Sequence, residues 1–257
     1  MKINFLITTM NNDSKEIVTN TNLENCNVIV ANQSEDFKLI TENNGDEKTA
    51  IFITTNTKGV SINRNIGIMY ADDIIVFSDD DQYFVDGCEQ IILNTFLENP
   101  DVDGVKFYCE STNIERPLGF KRPDRFRKAK LRDLMSAGVP GFAIKKSVLD
   151  NYDIRFSENV GPGKEYYCGE DSIFLKKLYD NKVNIYISPI LISYVKQEES
   201  SWFDGYSDRY FITSGYIYKK LYGRMALLFV IRKAFRLKNK SGKKIMEIIG
   251  LMKKGMK

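Results

Sequence analysis

The sequence predicts an α/β fold on a mainly parallel sheet flanked by helices, with a helical C-terminal extension. Three observations predict it. Strand-like apolar runs alternate with helix-like stretches over most of the chain, the order of βαβ units. The run Ile74-Ile75-Val76-Phe77 has no polar face, so it suits a strand covered on both sides. Beyond residue 205 the pattern turns helical and basic, with Tyr216, Tyr218, Leu221, Tyr222 and Met225 near helical spacing.

In chain order, strand-like runs fall at 3–8, 27–31, 50–54, 74–78, 104–109, 141–145 and 184–188. A helix over 61–70 opens after Gly59, which permits a tight entry, with Ser61 as its N-cap and Arg64 in its first turn. Further helical stretches cover 85–97 and 171–180, the latter entered through Gly161-Pro162-Gly163-Lys164 and Gly169-Glu170-Asp171-Ser172. Residues 110–135 break this rhythm. They carry Lys121, Arg122, Arg125, Arg127, Lys128, Lys130 and Arg132 and read as an inserted loop or helix. Two regions follow: a body over 1–204 and a basic helical extension over 205–257.

Composition narrows the chemistry. At 257 residues and 43% hydrophobic content the chain can bury one large core or two small ones. No run approaches the roughly 18 apolar residues of a membrane span. The opening Met1-Lys2-Ile3-Asn4-Phe5-Leu6-Ile7 turns polar too soon for a signal peptide. Cys26, Cys88, Cys109 and Cys168 have no CxxC spacing, so thiols in a reducing cytosol are expected. The chain has no histidine, which removes Ser-His-Asp and Cys-His chemistry and histidine metal sites. Acid–base work falls to Asp, Glu, Lys, Tyr or Cys, and any metal is a hard, oxygen-ligated one. Residues 219–257 hold 13 Lys/Arg against one acid, Glu247, a net +12, while 1–218 hold 24 against 33, a net −9. A basic tail on an acidic body implies an anionic partner surface.

Three segments carry candidate chemistry. Asp79, Asp80 and Asp81 end the buried strand, the edge at which open α/β sheets bind ligands. Their repulsion would be offset by a divalent cation carrying a phosphorylated ligand; a solvated acidic turn is the alternative. Gly59-Val60-Ser61-Ile62-Asn63-Arg64-Asn65 places a guanidinium beside a helix N-terminus, an arrangement suited to a diphosphate. The alternative is a capped surface helix whose Arg pairs with an acid. Asp171 lies at a helix mouth, where the dipole keeps a carboxylate ionised, so it could accept a proton from a substrate hydroxyl or simply cap the helix.

Taken in order, Leu6-Ile7-Thr8-Thr9-Met10-Asn11, Val28-Ile29-Val30-Ala31-Asn32-Gln33, Lys58-Gly59-Val60-Ser61-Ile62-Asn63-Arg64-Asn65, Phe77-Ser78-Asp79-Asp80-Asp81 and Gly169-Glu170-Asp171 resemble bacterial family 2 glycosyltransferases of the GT-A fold. The likeness is notably to those building capsular or other surface polysaccharides, and it covers about residues 3–200. The resemblance implies an inverting transfer from a nucleoside-diphosphate sugar, with a UDP-sugar as the expected donor, to a glycan or lipid-linked acceptor. It implies that Thr8, Thr9, Asn32, Gln33 and Ser34 border the nucleotide base and that Arg64 contacts the nucleotide, with Lys58 among the donor-binding residues. Asp79 would face the ribose or nucleotide and Asp81 the Mn²⁺ or Mg²⁺ that bridges the diphosphate. The register is open by one, so Asp80 can take either role; Asp81 and Asp79 are the expected metal ligands, with the choice among Asp79, Asp80 and Asp81 left open. Asp171 would deprotonate the acceptor hydroxyl with Glu170 beside it, and Ala137-Gly138-Val139-Pro140-Gly141-Phe142 would floor the acceptor site.

The chain departs from this pattern twice. Many relatives have a histidine near the segment corresponding to Tyr194–Trp202 that can ligate the metal; in its absence water completes the coordination or Lys196 supplies positive charge. Asn32-Gln33-Ser34 stands where acids are common. A sugar-nucleotide pyrophosphorylase needs a Gly-rich basic loop after the first strand, where this chain has Thr9-Met10-Asn11-Asn12. A non-catalytic subunit of a polysaccharide assembly complex is the rival from another class. The tail lacks a recognisable nucleic-acid module, so no nucleic acid is expected. Met225-Ala226-Leu227-Leu228-Phe229-Val230-Ile231, followed by Arg232, Lys233 and Arg236, suits a helix lying on the cytoplasmic face of an anionic inner membrane. The alternative is that Leu227, Phe229 and Ile231 pack on the body or on a second copy in a homodimer. The expected location is cytoplasmic, peripheral to the membrane if the tail binds it.

Overall fold

The computed structural model describes residues 1–12, 15–45, 47–196 and 205–257. The segment 197–204, which holds most of the Tyr194–Trp202 stretch where relatives have a histidine and the expected boundary between the two regions, lies outside the described residues.

The chain opens with β1 (Ile3–Met10), α1 (Glu16–Asn20), β2 (Asn27–Gln33), β3 (Lys38–Asn43), β4 (Thr49–Thr55), α2 (Val60–Tyr70), β5 (Ile74–Asp79), β6 (Gln82–Phe84) and α3 (Cys88–Glu98). It continues through β7 (Gly104–Ser111), β8 (Arg127–Lys128), α4 (Leu131–Leu134), β9 (Phe142–Lys145), α5 (Lys146–Asn151), α6 (Glu170–Asp180) and β10 (Ile185–Val195). Three helices, α7 (Asp208–Tyr222), α8 (Ala226–Ser241) and α9 (Ile245–Gly255), close it.

One sheet runs in the order β3-β4-β2-β1-β5-β9-β7-β10-β6, with β8 on β10. The block β4-β2-β1-β5 is parallel throughout. Beyond it the sheet is mixed: β9 is antiparallel to both β5 and β7, while β7 and β10 are parallel. The run 141–145 thus forms a strand of the opposite direction. The cause is the turn before it, in which Phe142 N–H donates to Val139 O and Gly141 N–H to Phe77 O. That turn starts β9 at the edge where β5 ends, so β9 must run back.

Side chains alternate across the pleat. Phe5 and Ile7 of β1 and Val76 of β5 face one core with Ile92 and Phe96 of α3. Leu6, Ile75 and Phe77 face the other with Ile68 of α2 and Phe174 and Leu175 of α6. Phe77 meets Phe156 and Phe174 edge-on at 5.4 and 5.7 Å, and those two stack at 4.0 Å. Pairs of this kind add about 0.5–1.5 kcal/mol beyond their burial. This aromatic block lies beneath the end of β5 and the start of α6. The four cysteines are free thiols.

The last three helices share a third core of Phe211, Val230, Ala234, Leu237, Ile248, Leu251 and Met252. Gly215 lets α7 and α9 touch, since a Cβ there would fall 1.9 Å from Met252 O. Lys233 Nζ donates to Ser214 Oγ at 2.8 Å and lies 4.6 Å from the Tyr210 ring centroid. One stripe of α8 is therefore spent inside the extension. Phe229 stacks on Tyr222 at 3.8 Å. Leu227, Leu228, Ile231 and Phe235 remain exposed.

Candidate active site

The C-terminal edge of the parallel block forms one wall of a cavity of about 520 Å³. Thr8 and Thr9 come from β1, Gln33 from β2, and Asp79 to Asp81 from the end of β5; Asn63 and Arg64 come from α2 and Glu170 and Asp171 from α6. Segments more than a hundred residues apart thus converge at the edge where open α/β sheets bind ligands.

Arg64 is the centre of the arrangement. Its side chain is 4% exposed and joins two carboxylates: Nη1 donates to Asp171 Oδ1 at 2.6 Å and Nη2 to Asp79 Oδ1 at 2.8 Å. The guanidinium lies 5.2 Å from the Phe156 ring centroid, on the aromatic block. Burial opposes its charge, but Asp171, Asp79 and Glu170 outweigh that and push its pKa up, so it stays a cation. Its Nε is buried with no partner among the described residues. The helix starts one residue earlier than expected. Gly59, at φ 119°, takes the cap position, and its N–H donates to Gln33 Oε1 at 2.7 Å. Ser61 caps nothing; its hydroxyl donates to Val160 O at 2.9 Å and ties α2 to the loop before α6. Arg64 consequently sits a full turn into α2.

The aspartates are held differently. Asp79 Oδ1 also accepts from Thr8 Oγ1 at 3.1 Å, and Asp80 Oδ2 from Thr9 Oγ1 at 2.5 Å. Asp79 N–H donates to Gln82 Oε1, and Gln82 Nε2 donates to Ser193 Oγ at 2.8 Å. The residue after the triplet therefore anchors it to β10.

Asp171 does not cap its helix, where Gly169 occupies the cap position. Its Oδ2 accepts the Val139 N–H at 3.0 Å. The Ala137–Gly141 turn is thus fastened to this carboxylate. The turn is fastened from behind as well, by Lys106 of β7, a 3% exposed residue whose Nζ donates to Pro140 O. Burial pushes the Lys106 pKa down. No sequence signal marked Lys106, which sits in a strand-like run. Met10, Val60, Asn63 and Pro162 complete the cavity lining; all four lie in segments the sequence singles out, but none carries a charge that would have marked it for a role.

Glu170 is strained electrostatically. Its Oε2 is buried without a partner among the described residues. Burial, followed by the Asp171 charge, pushes its pKa up to about 7. A folded pKa above the unfolded value makes the folded state lose stability as pH rises from about 4.5 through 7. Glu170→Gln removes that loss. It is expected to be more stable than the parent at pH 8, by about 1–3 kcal/mol, with the gain vanishing near pH 4. Thermal melts of both proteins across that range check this, and a gain independent of pH would contradict it.

Of the other expected residues, Asn32 lies behind the cavity wall. It is 2% exposed, donates to Thr54 Oγ1 at 3.2 Å and accepts from Asn12 N–H. Ser34 and Lys58 are outside the lining, Lys58 being exposed. Lys196 follows β10, and its N–H donates to the Asp81 carbonyl at 2.9 Å, so the two adjoin through the backbone.

No cluster of three or more His, Cys, Asp or Glu side chains that could enclose a metal occurs among the described residues. A site completed by substrate needs fewer. Magnesium-type ions are commonly held by one or two carboxylates with substrate phosphates and water. Asp79 and Asp81, both at the cavity, are oxygen donors of the right chemistry for that set.

The model of the family described as Glycosyl transferase family 2 matches residues 15–153, which includes Arg64 and the aspartates and stops before Glu170. No curated protein matches the chain. Among solved structures, S. aureus TarS 1-349 in complex with UDP-GlcNAc shares the fold at TM-score 0.65 and 16% identity, over 94% of this chain and 74% of that one. TarS 1-349 alone gives 0.64 and 15%, over 98% of this chain and 90% of that one. A longer TarS structure gives 0.64 and 15%, and there this chain spans only 44% of its length.

Proposed function

From its membership of glycosyl transferase family 2, to which the chain belongs, we propose that it is an inverting glycosyltransferase acting in surface polysaccharide synthesis. It moves a sugar from a nucleoside-diphosphate donor, a UDP-sugar, to a hydroxyl of a glycan or lipid-linked acceptor. The observation that carries this reading is the buried Arg64 bridging Asp79 and Asp171 at the cavity. One cation thereby links the expected donor side to the expected base. The likeness in fold to a TarS structure solved with UDP-GlcNAc supports a UDP-sugar. Residues 1–204 form the catalytic region in this reading and 205–257 an accessory one.

Thr8, Thr9 and Gln33 border the base and ribose at the ends of β1 and β2, with Asn32 holding the loops behind them and Ser34 and Lys58 at the margin. A divalent cation, Mn²⁺ or Mg²⁺, would be held by Asp79 and Asp81 with Asp80 beside them, and would offset charge on the departing diphosphate. Arg64 adds fixed positive charge from a buried position, 4% exposed, where a charge acts more strongly than in bulk water. Asp171 accepts the proton of the attacking hydroxyl through the oxygen that Arg64 leaves least engaged, while the Val139 N–H fixes its rotamer. Glu170, near neutrality in pKa, is suited to hydrogen-bond a sugar hydroxyl or share that proton. Screening UDP-, GDP- and TDP-sugars for slow hydrolysis, with and without Mn²⁺, tests the function. Hydrolysis of a UDP-sugar that needs Asp171 is expected, and none with any donor would favour a non-catalytic role.

The extension is proposed to rest on an anionic membrane surface. No described helix is long and apolar enough to cross a bilayer. Exposed Leu228, Ile231 and Phe235 share a stripe of α8 with exposed Arg232 and Lys238. Each basic residue near such a surface adds about 1 kcal/mol. The full chain is expected to sediment with anionic but not neutral vesicles and to release at high salt. L228E/F235E should stay in the supernatant; equal sedimentation of parent and variant would contradict the placement.

A further inference from the structure

Away from the donor cavity, a second open groove of about 540 Å³ lies between α4 and the end of α7, lined by Leu131, Arg132, Met135, Ser136 and Tyr222. Both of its walls lead to the carboxylate pair of α6. Met135 is four residues from Val139, whose N–H holds Asp171, a reach of at most about 14 Å. Tyr222 is five residues along α7 from Ile217, about 7.5 Å by helical rise, and a Cβ on Gly169 would touch Ile217.

Leu131, Met135 and Tyr222 give the groove apolar walls, and Arg132 is the cation in its lining. The Arg132 side chain is 77% exposed, and its carboxylate neighbour among the described residues, Asp133, lies 3.8 Å from its Nε while serving Arg127 at 2.8 Å. Arg224, two residues past Tyr222, is exposed, as are Lys128 and Lys130 on the segment leading into α4. Neither lysine nor Arg224 pairs with a carboxylate among the described residues. Among the described residues no carboxylate lines the groove. On the far side Tyr222 stacks on Phe229, and the exposed apolar stripe of α8 begins there with Leu228 and Ile231.

Resting on the glycosyltransferase reading, we infer that this groove is an acceptor subsite for a sugar carried on a lipid diphosphate. Arg132 and Arg224 face the diphosphate, Tyr222 and Met135 line its path, and the α8 stripe receives the start of the lipid. The sugar then extends from the groove toward Asp171. Exposed guanidinium groups suit phosphate oxygens, which they bind in pairs of hydrogen bonds. A neutral glycan would make no use of Arg224, which has no carboxylate partner among the described residues, or of Arg132, whose nearby Asp133 already serves Arg127.

The test uses full-length protein saturated with UDP and Mn²⁺, so that the donor cavity is filled, titrated calorimetrically with farnesyl diphosphate. Saturable binding is expected, weakened about tenfold or more in R132E/R224E, whose exposed positions spare the fold. Farnesol and glucose 1-phosphate are expected to bind at least about tenfold more weakly than farnesyl diphosphate. Equal affinity in parent and variant, or no binding while UDP binds normally, overturns the subsite. Farnesol binding as tightly as the diphosphate overturns the phosphate contact, and glucose 1-phosphate doing so overturns the lipid carrier. Failure of the parent to bind UDP is a separate result, which overturns the glycosyltransferase reading and the subsite with it.

Discussion

Asp171→Asn is expected to cut sugar transfer by roughly 10²-fold or more while UDP affinity stays within a few-fold of the parent. The two oxygens of Asp171 are both acceptors, one for the Arg64 guanidinium at 2.6 Å and one for the Val139 N–H at 3.0 Å. An amide keeps one acceptor and turns an NH₂ toward the other donor. With its oxygen kept on Arg64, the variant loses the Val139 bond, a cost of about 1–3 kcal/mol in stability. The larger effect is chemical, because an amide cannot take the acceptor proton. Steady-state transfer kinetics beside UDP calorimetry separate the two, and transfer at the parent rate would reduce Asp171 to a strut for the 137–141 turn.

Arg64→Met is expected to lose donor binding and to destabilise the fold by about 2–4 kcal/mol, at the lower end of the cost of breaking a buried ion pair. Asp79 and Asp171 remain partly exposed, at 36% and 23%, and water can recover part of the lost interaction. Arg64→Lys should not rescue binding, since a single ammonium cannot span two carboxylates in the geometry of a guanidinium fork. Chemical denaturation and UDP titration of both variants check this. Undiminished UDP affinity in Arg64→Met would show that the guanidinium serves only the fold.

What was legible in the sequence follows from how strongly each segment is constrained. The buried parallel strands announced themselves because both faces are apolar: β1, β2, β4 and β5 lie where continuous apolar runs predicted strands. β3 escaped notice because Lys38–Asn43 is a mostly exposed edge strand of mixed polarity, and β6 because three residues carry no period. The direction of β9 was not legible either, since the 137–141 turn that reverses the chain depends on contacts with Phe77 and Asp171. At the site, charged residues at strand and helix ends were recognisable as candidates. Their pairing was not, because Arg64 and Asp171 are 107 residues apart. Arg64 indeed pairs with acids, as the bland alternative held, yet the acids are those of the cavity itself. Lys106 was invisible because nothing local distinguishes a buried strand lysine from an exposed one.

Calorimetric titration of the full chain with UDP, in Mn²⁺ and in EDTA, tests the donor-site assignment most directly. Binding in Mn²⁺ should be about tenfold tighter or more, the worth of one or two charge-assisted contacts. Asp81→Asn should lose that difference with little loss of stability, since removing one of three clustered charges relieves repulsion. Equal affinity in Mn²⁺ and EDTA would take the metal from Asp79 and Asp81 and leave Arg64 to hold the diphosphate, and no UDP binding under either condition would contradict the account.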